Sequence, residues 1–157
     1  MTEWKTAFKE IKVGTGRKLT SGNDVAILTI GHPGNFAQEA IKELNEIGVS
    51  AAHYDMRFVK PIDEVMLHEV FGKFKKVITV EDGCLMGGFG SAVIEFMADQ
   101  KYQAEIIRLG IPDKYIHHGT QEELWDECGF HTKGIVATVK QMLSIADSSN
   151  NLSKTAG

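Results

Sequence analysis

The sequence has no apolar run near the ~20 residues that span a bilayer, and no block of basic charge. Its densest basic stretch, Lys73, Lys75 and Lys76, reads as a solvated helix end and is too small for a nucleic-acid patch. Neither membrane nor nucleic acid is therefore an expected partner. Cysteine is scarce. Cys84 and Cys128 form no CxxC pair, which excludes a zinc site of the usual spacing and leaves two free thiols in a reducing compartment. There is no HExxH, and the adjacent His117 and His118 lack a partner at helical spacing. No serine sits in a GxSxG elbow, since Ser91 lies in Phe89-Gly90-Ser91-Ala92-Val93. Zinc-protease and serine-hydrolase chemistry have no support. Met1 to Lys12 carries charges throughout, unlike a secretory leader, so a cytoplasmic location is expected.

What is present suits one globular domain. Of 157 residues, 43% are apolar and 24% charged, with a net charge of −4, enough for a core that needs neither disulfide nor metal. Gly14 to Thr20 reads as a short polar strand suited to a sheet edge, and Ser21-Gly22-Asn23-Asp24 as a turn. Val25 to Ile30 is nearly all apolar, as in a strand buried on both faces of a parallel sheet. Ala37, Ala40, Ile41, Leu44 and Ile47 recur at helical spacing, and Gly48 marks the stop. Val49 to Tyr54 is the next strand. Pro61 and Asp63 open a second helix, with Ile62, Val65, Met66 and Val70 on one face. Val77 to Val80 is a third apolar strand. A glycine loop and a helix with Phe89, Ala92, Val93, Phe96 and Met97 inward follow it, and Ile106 to Leu109 is the last strand.

Thr120 and Glu123 form a capping box for a short helix ending near Gly129, and Ile135, Val136, Val139, Met142 and Leu143 mark the final one. Strands alternating with helices predict a three-layer α/β domain with a mostly parallel sheet. A tight turn joins the first two strands, so the first is antiparallel or not adjacent to the second. The domain is expected over residues 14–146, with 1–13 a linker and the Ser- and Asn-rich 147–157 a disordered tail. A full sheet and at least four amphipathic helices are expected to fold without help.

Three features could carry chemistry. The cluster Gly83-Cys84-Leu85-Met86-Gly87-Gly88-Phe89-Gly90 lies between a strand and a helix, where dinucleotide folds place a pyrophosphate loop. The GxGxxG spacing fails, however, because position 93 is Val93. The alternative is that these glycines let the helix start pack against another backbone. Glu81 and Asp82 end the preceding strand and could form an acid/base pair or half a magnesium site. Strand neighbours point to opposite faces, so capping the next helix or pairing with an arginine is the other reading. In Asp55-Met56-Arg57-Phe58-Val59-Lys60-Pro61, Arg57 and Lys60 could clamp a phosphate, or Asp55 could hold Arg57 structurally.

Several stretches together resemble one family. They are Gly16-Arg17-Lys18-Leu19, Asp24 to Gly31, Asp55-Met56-Arg57-Phe58-Val59-Lys60-Pro61-Ile62-Asp63, and Val80-Glu81-Asp82-Gly83 running into Gly87-Gly88-Phe89-Gly90-Ser91-Ala92-Val93. The last is Gly110-Ile111-Pro112-Asp113 through His118-Gly119-Thr120-Gln121-Glu122-Glu123-Leu124. In order and spacing, over about residues 3–143, the chain resembles the C-terminal domain of the 1-deoxy-D-xylulose-5-phosphate synthases, in the transketolase class. The resemblance implies a five-stranded mixed sheet with one antiparallel edge strand. It also implies a cytoplasmic, homodimeric parent enzyme that uses thiamine diphosphate and magnesium to condense pyruvate with glyceraldehyde 3-phosphate, releasing CO₂. The product feeds isoprenoid, thiamine and pyridoxal biosynthesis.

In that family the cofactor motif GDG…N lies in an N-terminal domain, and the activating glutamate and phosphate-binding arginines lie in a middle domain. No GDG occurs here. The resemblance therefore implies no catalytic, cofactor-binding or metal-binding residue in this chain. It implies a structural and assembly role against the missing N-terminal and middle domains. Asp55, Arg57, Lys60, Glu81, Asp82, Gly87, Gly88 and Gly90 form the candidate packing edge. An autonomous nucleotide- or small-ligand-binding domain, and the partner subunit of a split transketolase-like enzyme, are the alternatives.

Overall fold

A computed structural model describes residues 9–145, so most of the expected linker and all of the expected tail lie outside the described residues. In chain order the elements are β1 (Arg17–Thr20), β2 (Val25–Ile30), α1 (Pro33–Glu46), β3 (Ala51–Asp55), α2 (Glu64–Lys73), β4 (Lys76–Cys84), α3 (Phe89–Asp99), β5 (Glu105–Ile111), α4 (Gln121–Cys128) and α5 (Thr132–Leu143).

The continuous apolar run of β2 is explained by its position. Val25 and Ile27 enter a core shared with α1 and α5, while Ala26 and Leu28 enter a second core shared with α2 and α3. Side chains alternate along a strand, so a strand covered by helices on both faces is apolar nearly throughout, and its one polar residue, Thr29, is buried against His53. The sheet order is β1-β3-β2-β4-β5. β2 is parallel to β3 and to β4, β4 is parallel to β5, and β1 runs antiparallel to β3 at the edge. Both expected options for the first strand hold at once: it is antiparallel, and its neighbour is not β2. The three-layer αβα architecture with a five-stranded, mostly parallel sheet and one antiparallel edge strand is thus the observed fold.

The chain leaves β2 toward β3 on one side and later places β4 on the other. The carboxyl ends of β2 and β4 therefore flank the crevice where open α/β sheets tend to receive ligands.

Three local expectations change. α2 begins at Glu64, with the Asp63 carboxylate accepting from the Met66 amide as N-cap. Pro61 precedes the helix after a cis Lys60–Pro61 bond, and does not start it. The buried face of α2 is Leu67, Val70 and Phe71, while Val65 is 82% exposed. β4 continues through Glu81, Asp82, Gly83 and Cys84, so part of the expected glycine loop is strand. The Thr120/Glu123 capping box is present in full, and Gly129 ends α4 in the left-handed region at φ 72°.

Candidate functional site: the carboxyl edge of the sheet

The expected site residues fall into two groups at the carboxyl edge, separated by β2. Glu81, Asp82, Gly87, Gly88 and Gly90 lie at the end of β4 and the start of α3. Asp55, Arg57 and Lys60 lie at and beyond the end of β3.

Glu81 is only 4% exposed. One carboxylate oxygen accepts from the Phe89 amide at 2.7 Å and the other from the Gly90 amide at 2.8 Å. The N-cap position of α3 is Gly88, which offers no side-chain cap. A strand residue thus supplies the missing cap, satisfying two amides that the helix leaves open and placing negative charge at its positive end. This arrangement explains two of the glycines. A Cβ on Gly88 would overlap the Glu81 carboxylate and the Cys84 carbonyl, and one on Gly90 would lie 2.6 Å from Thr79 Oγ1. The preceding loop is held as firmly. Ser91 Oγ accepts from the Gly87 amide at 3.1 Å and donates to the Leu85 carbonyl at 2.9 Å, and the Arg108 guanidinium donates to both Ser91 Oγ and the Leu85 carbonyl. The amides that would cradle a pyrophosphate already face a carboxylate, so the geometry of this helix start does not fit anion binding.

Asp82 points away from Glu81, as its strand position requires. Its carboxylate lies 2.7 Å from His32 Nε2, bridging the ends of β4 and β2 across the crevice. The His32 ring also packs on Trp125, with centroids 5.3 Å apart, and meets Phe36 edge-on at 5.6 Å. Glu81 and Asp82 therefore serve different partners, which removes the acid/base-pair and half-magnesium readings. Among the described residues no group of three or more His, Cys, Asp or Glu could hold a metal ion.

Asp55 pairs mainly with Arg17, whose Nε lies 2.9 Å from Oδ2 across the antiparallel register of β1 and β3. Arg57 Nε stands farther off at 3.9 Å, with its backbone amide 3.3 Å from Oδ1. Arg57 adopts φ 57°. Lys60 is exposed and has no ion-pair partner among the described residues. A shallow depression of about 430 Å³ lies here, bounded by Ile11, Arg17, Gly31, Asp55, Arg57 and Phe58.

Sequence reasoning missed Arg17, His32, Arg108 and His53. The first three act on partners 17 to 50 positions away, a separation no local motif reveals. His53 is fully buried on β3, with Nε2 2.9 Å from Thr29 Oγ1 and Nδ1 unpartnered. Burial lowers its pKa to about 4, against a smaller upward pull from Asp55 and a downward push from Arg17. It is thus a neutral core histidine near neutral pH.

Comparison with known proteins fits this picture. The family profile for "Transketolase, C-terminal domain" matches residues 14–135. A 1-deoxy-D-xylulose-5-phosphate synthase of Cytophaga hutchinsonii is 62% identical over 145 residues, covering 92% of this chain and 23% of that protein. The synthase of Phocaeicola vulgatus is 50% identical over 136 residues, covering 86% and 22%. A solved structure described as a split-gene transketolase, inactive beta4 tetramer, superposes with a TM-score of 0.80 at 31% identity, over 88% of this chain and 45% of that one. The chain spans less than a quarter of the length of these curated relatives. By sequence profile and by fold, the chain belongs to the transketolase C-terminal domain family.

Proposed function

We propose that the chain is the C-terminal structural and assembly domain of a 1-deoxy-D-xylulose-5-phosphate synthase, inactive by itself. The observation that carries this reading is the 62% identity that spans 92% of the chain but only 23% of the relative. The whole enzyme would be a cytoplasmic homodimer. It would condense pyruvate with glyceraldehyde 3-phosphate, and thiamine diphosphate with Mg²⁺ would supply the carbanion chemistry. The residues at this chain's sheet edge do not fit that cofactor, because Glu81, Asp82 and Asp55 are each engaged by protein groups. Residues 14–146 would be the domain proper.

The packing surface would be the Asp55–Lys60 and Glu81–Gly90 edge. The exposed apolar side chains Ile11, Val13, Val59, Val65 and Met86 favour it, since all lie at this end of the molecule. The split-gene relative favours a second form of the same reading, in which the chain acts in trans as a separate subunit. The test is complementation. A synthase truncated before this domain is assayed with and without the purified chain. Restored turnover together with co-elution supports the assembly role; no co-elution and no rescue contradict it.

A further inference from the structure

The depression at the end of β3 holds two cationic side chains and one acid. Arg17, Arg57 and Asp55 are the charged residues that line it. Asp55 Oδ2 is taken by Arg17 Nε at 2.9 Å, which leaves Arg57 Nε at 3.9 Å, beyond hydrogen-bond reach. The Arg57 side chain is only 25% exposed, yet its guanidinium makes no hydrogen bond among the described residues. α1, which starts next to Gly31 on the other side, adds no acid, since it has no side-chain cap and no acidic residue in its first turn.

The backbone is bent to place this arginine. The Phe58 amide donates to the Met56 carbonyl at 2.6 Å, closing a tight turn with Arg57 at its apex and at φ 57°. Lys101 and Ser144 also have positive φ, but both end helices, where a left-handed residue is a usual stop. Arg57 follows a strand, and strain held at such a position points to a use for its side chain.

The lining residues carry a net charge of +1, which one carboxylate would balance. Covering an unpaired guanidinium with another protein surface is costly unless a counter-charge arrives with it. Arginine meets a carboxylate with two parallel hydrogen bonds. Ile11 is 50% exposed and lines the depression with Phe58, and Val59 beyond it is 39% exposed. A free anion would leave these apolar side chains in water, whereas a protein segment would cover them.

We propose that the depression is a receptor for one aspartate or glutamate of the neighbouring domain, bound by the Arg57 guanidinium and flanked by apolar side chains on Ile11 and Phe58. The proposal rests on the reading that another domain packs on this edge.

The test uses the full-length synthase that carries this chain. Arg57→Lys places an amine that a zero-length carbodiimide couples to a carboxylate in contact with it, and the native Lys60 reports on the edge itself. Peptide mass spectrometry is expected to join position 57 to an acid outside residues 14–146, with a yield that falls in about 0.5 M salt. Arg57→Gln is expected to speed release of the domain by limited proteolysis at least about tenfold, while the melt of the isolated chain stays unchanged. Calorimetry of the isolated chain with inorganic phosphate is expected to give no saturable heat. Links from Lys60 to another domain with none from position 57, or from position 57 to Asp55 alone, overturn this inference and leave the packing edge standing. Links from neither position overturn both. Unchanged release in Arg57→Gln, or phosphate binding that Arg57→Gln abolishes, also overturns the inference.

Discussion

Replacing Glu81 tests whether this acid is a helix cap rather than a catalytic group. Glu81→Ala removes the only side-chain acceptor of the Phe89 and Gly90 amides, both buried. A buried donor left unpaired costs about 1–3 kcal/mol, and the variant creates two. Part of this is offset because the alanine variant no longer has to keep a carboxylate out of water. The net loss is expected at about 2–4 kcal/mol. For a domain of this size each kcal/mol moves Tm by about 2–4 °C, so the melt should fall by about 5–15 °C. Glu81→Gln keeps one acceptor but turns an amide donor toward the second N–H, and is expected to fall between alanine and wild type. Asp82→Asn is the control. Its partner His32 is 40% exposed, and a solvent-screened pair is worth at most about 1 kcal/mol. The assay is urea unfolding at neutral pH. If Glu81→Ala lay within about 0.5 kcal/mol of wild type, or if Asp82→Asn were the more damaging change, the capping argument would fail.

His53 should make stability depend on pH. Its pKa is lowered to about 4 in the folded chain, against about 6.5 unfolded, so between these values only the unfolded state gains a proton. The stabilisation is complete above about pH 6.5 and is lost as pH falls toward 4, to a total of about 3 kcal/mol. Urea midpoints across this window should lose that slope in His53→Gln. Gly90→Ala places a Cβ 2.6 Å from Thr79 Oγ1 and 2.8 Å from Arg108 Cδ, so a loss of about 1–3 kcal/mol is expected on thermal melting. Gly72→Ala meets nothing within 4 Å inside α2, and should instead stabilise by about 0.5–1 kcal/mol. Thr120→Ala removes the capping box and should cost about 1 kcal/mol, read in the same melts.

The fold was legible where one physical rule governed a whole segment. β2 is apolar at every position but Thr29, whose hydroxyl is paired with His53, because both of its faces are covered, and that pattern survives in the sequence. Thr120 with Glu123 is a local motif, and it forms as expected. The expected inward face of α2 includes Ile62, which lies before the helix, and Val65, which is exposed. With Asp63 as N-cap, Val65 turns outward and Leu67 and Phe71 turn in. The candidate edge was legible only in part. Helix capping was among the readings of the Glu81–Asp82 pair, and the opposite-face rule separated the two acids. Their partners were not recoverable, because His32 meets Asp82 across 50 positions and Arg17 meets Asp55 across 38. Those contacts exist only once β2 lies beside β4 and β1 beside β3.

The account stands or falls on the chain's own chemistry. The purified chain, shown to melt cooperatively, is incubated with pyruvate, glyceraldehyde 3-phosphate, thiamine diphosphate and Mg²⁺, and the sugar phosphate is followed by mass spectrometry. No product above the protein-free blank is expected, and sustained formation of 1-deoxy-D-xylulose 5-phosphate by the chain without other protein would contradict the account.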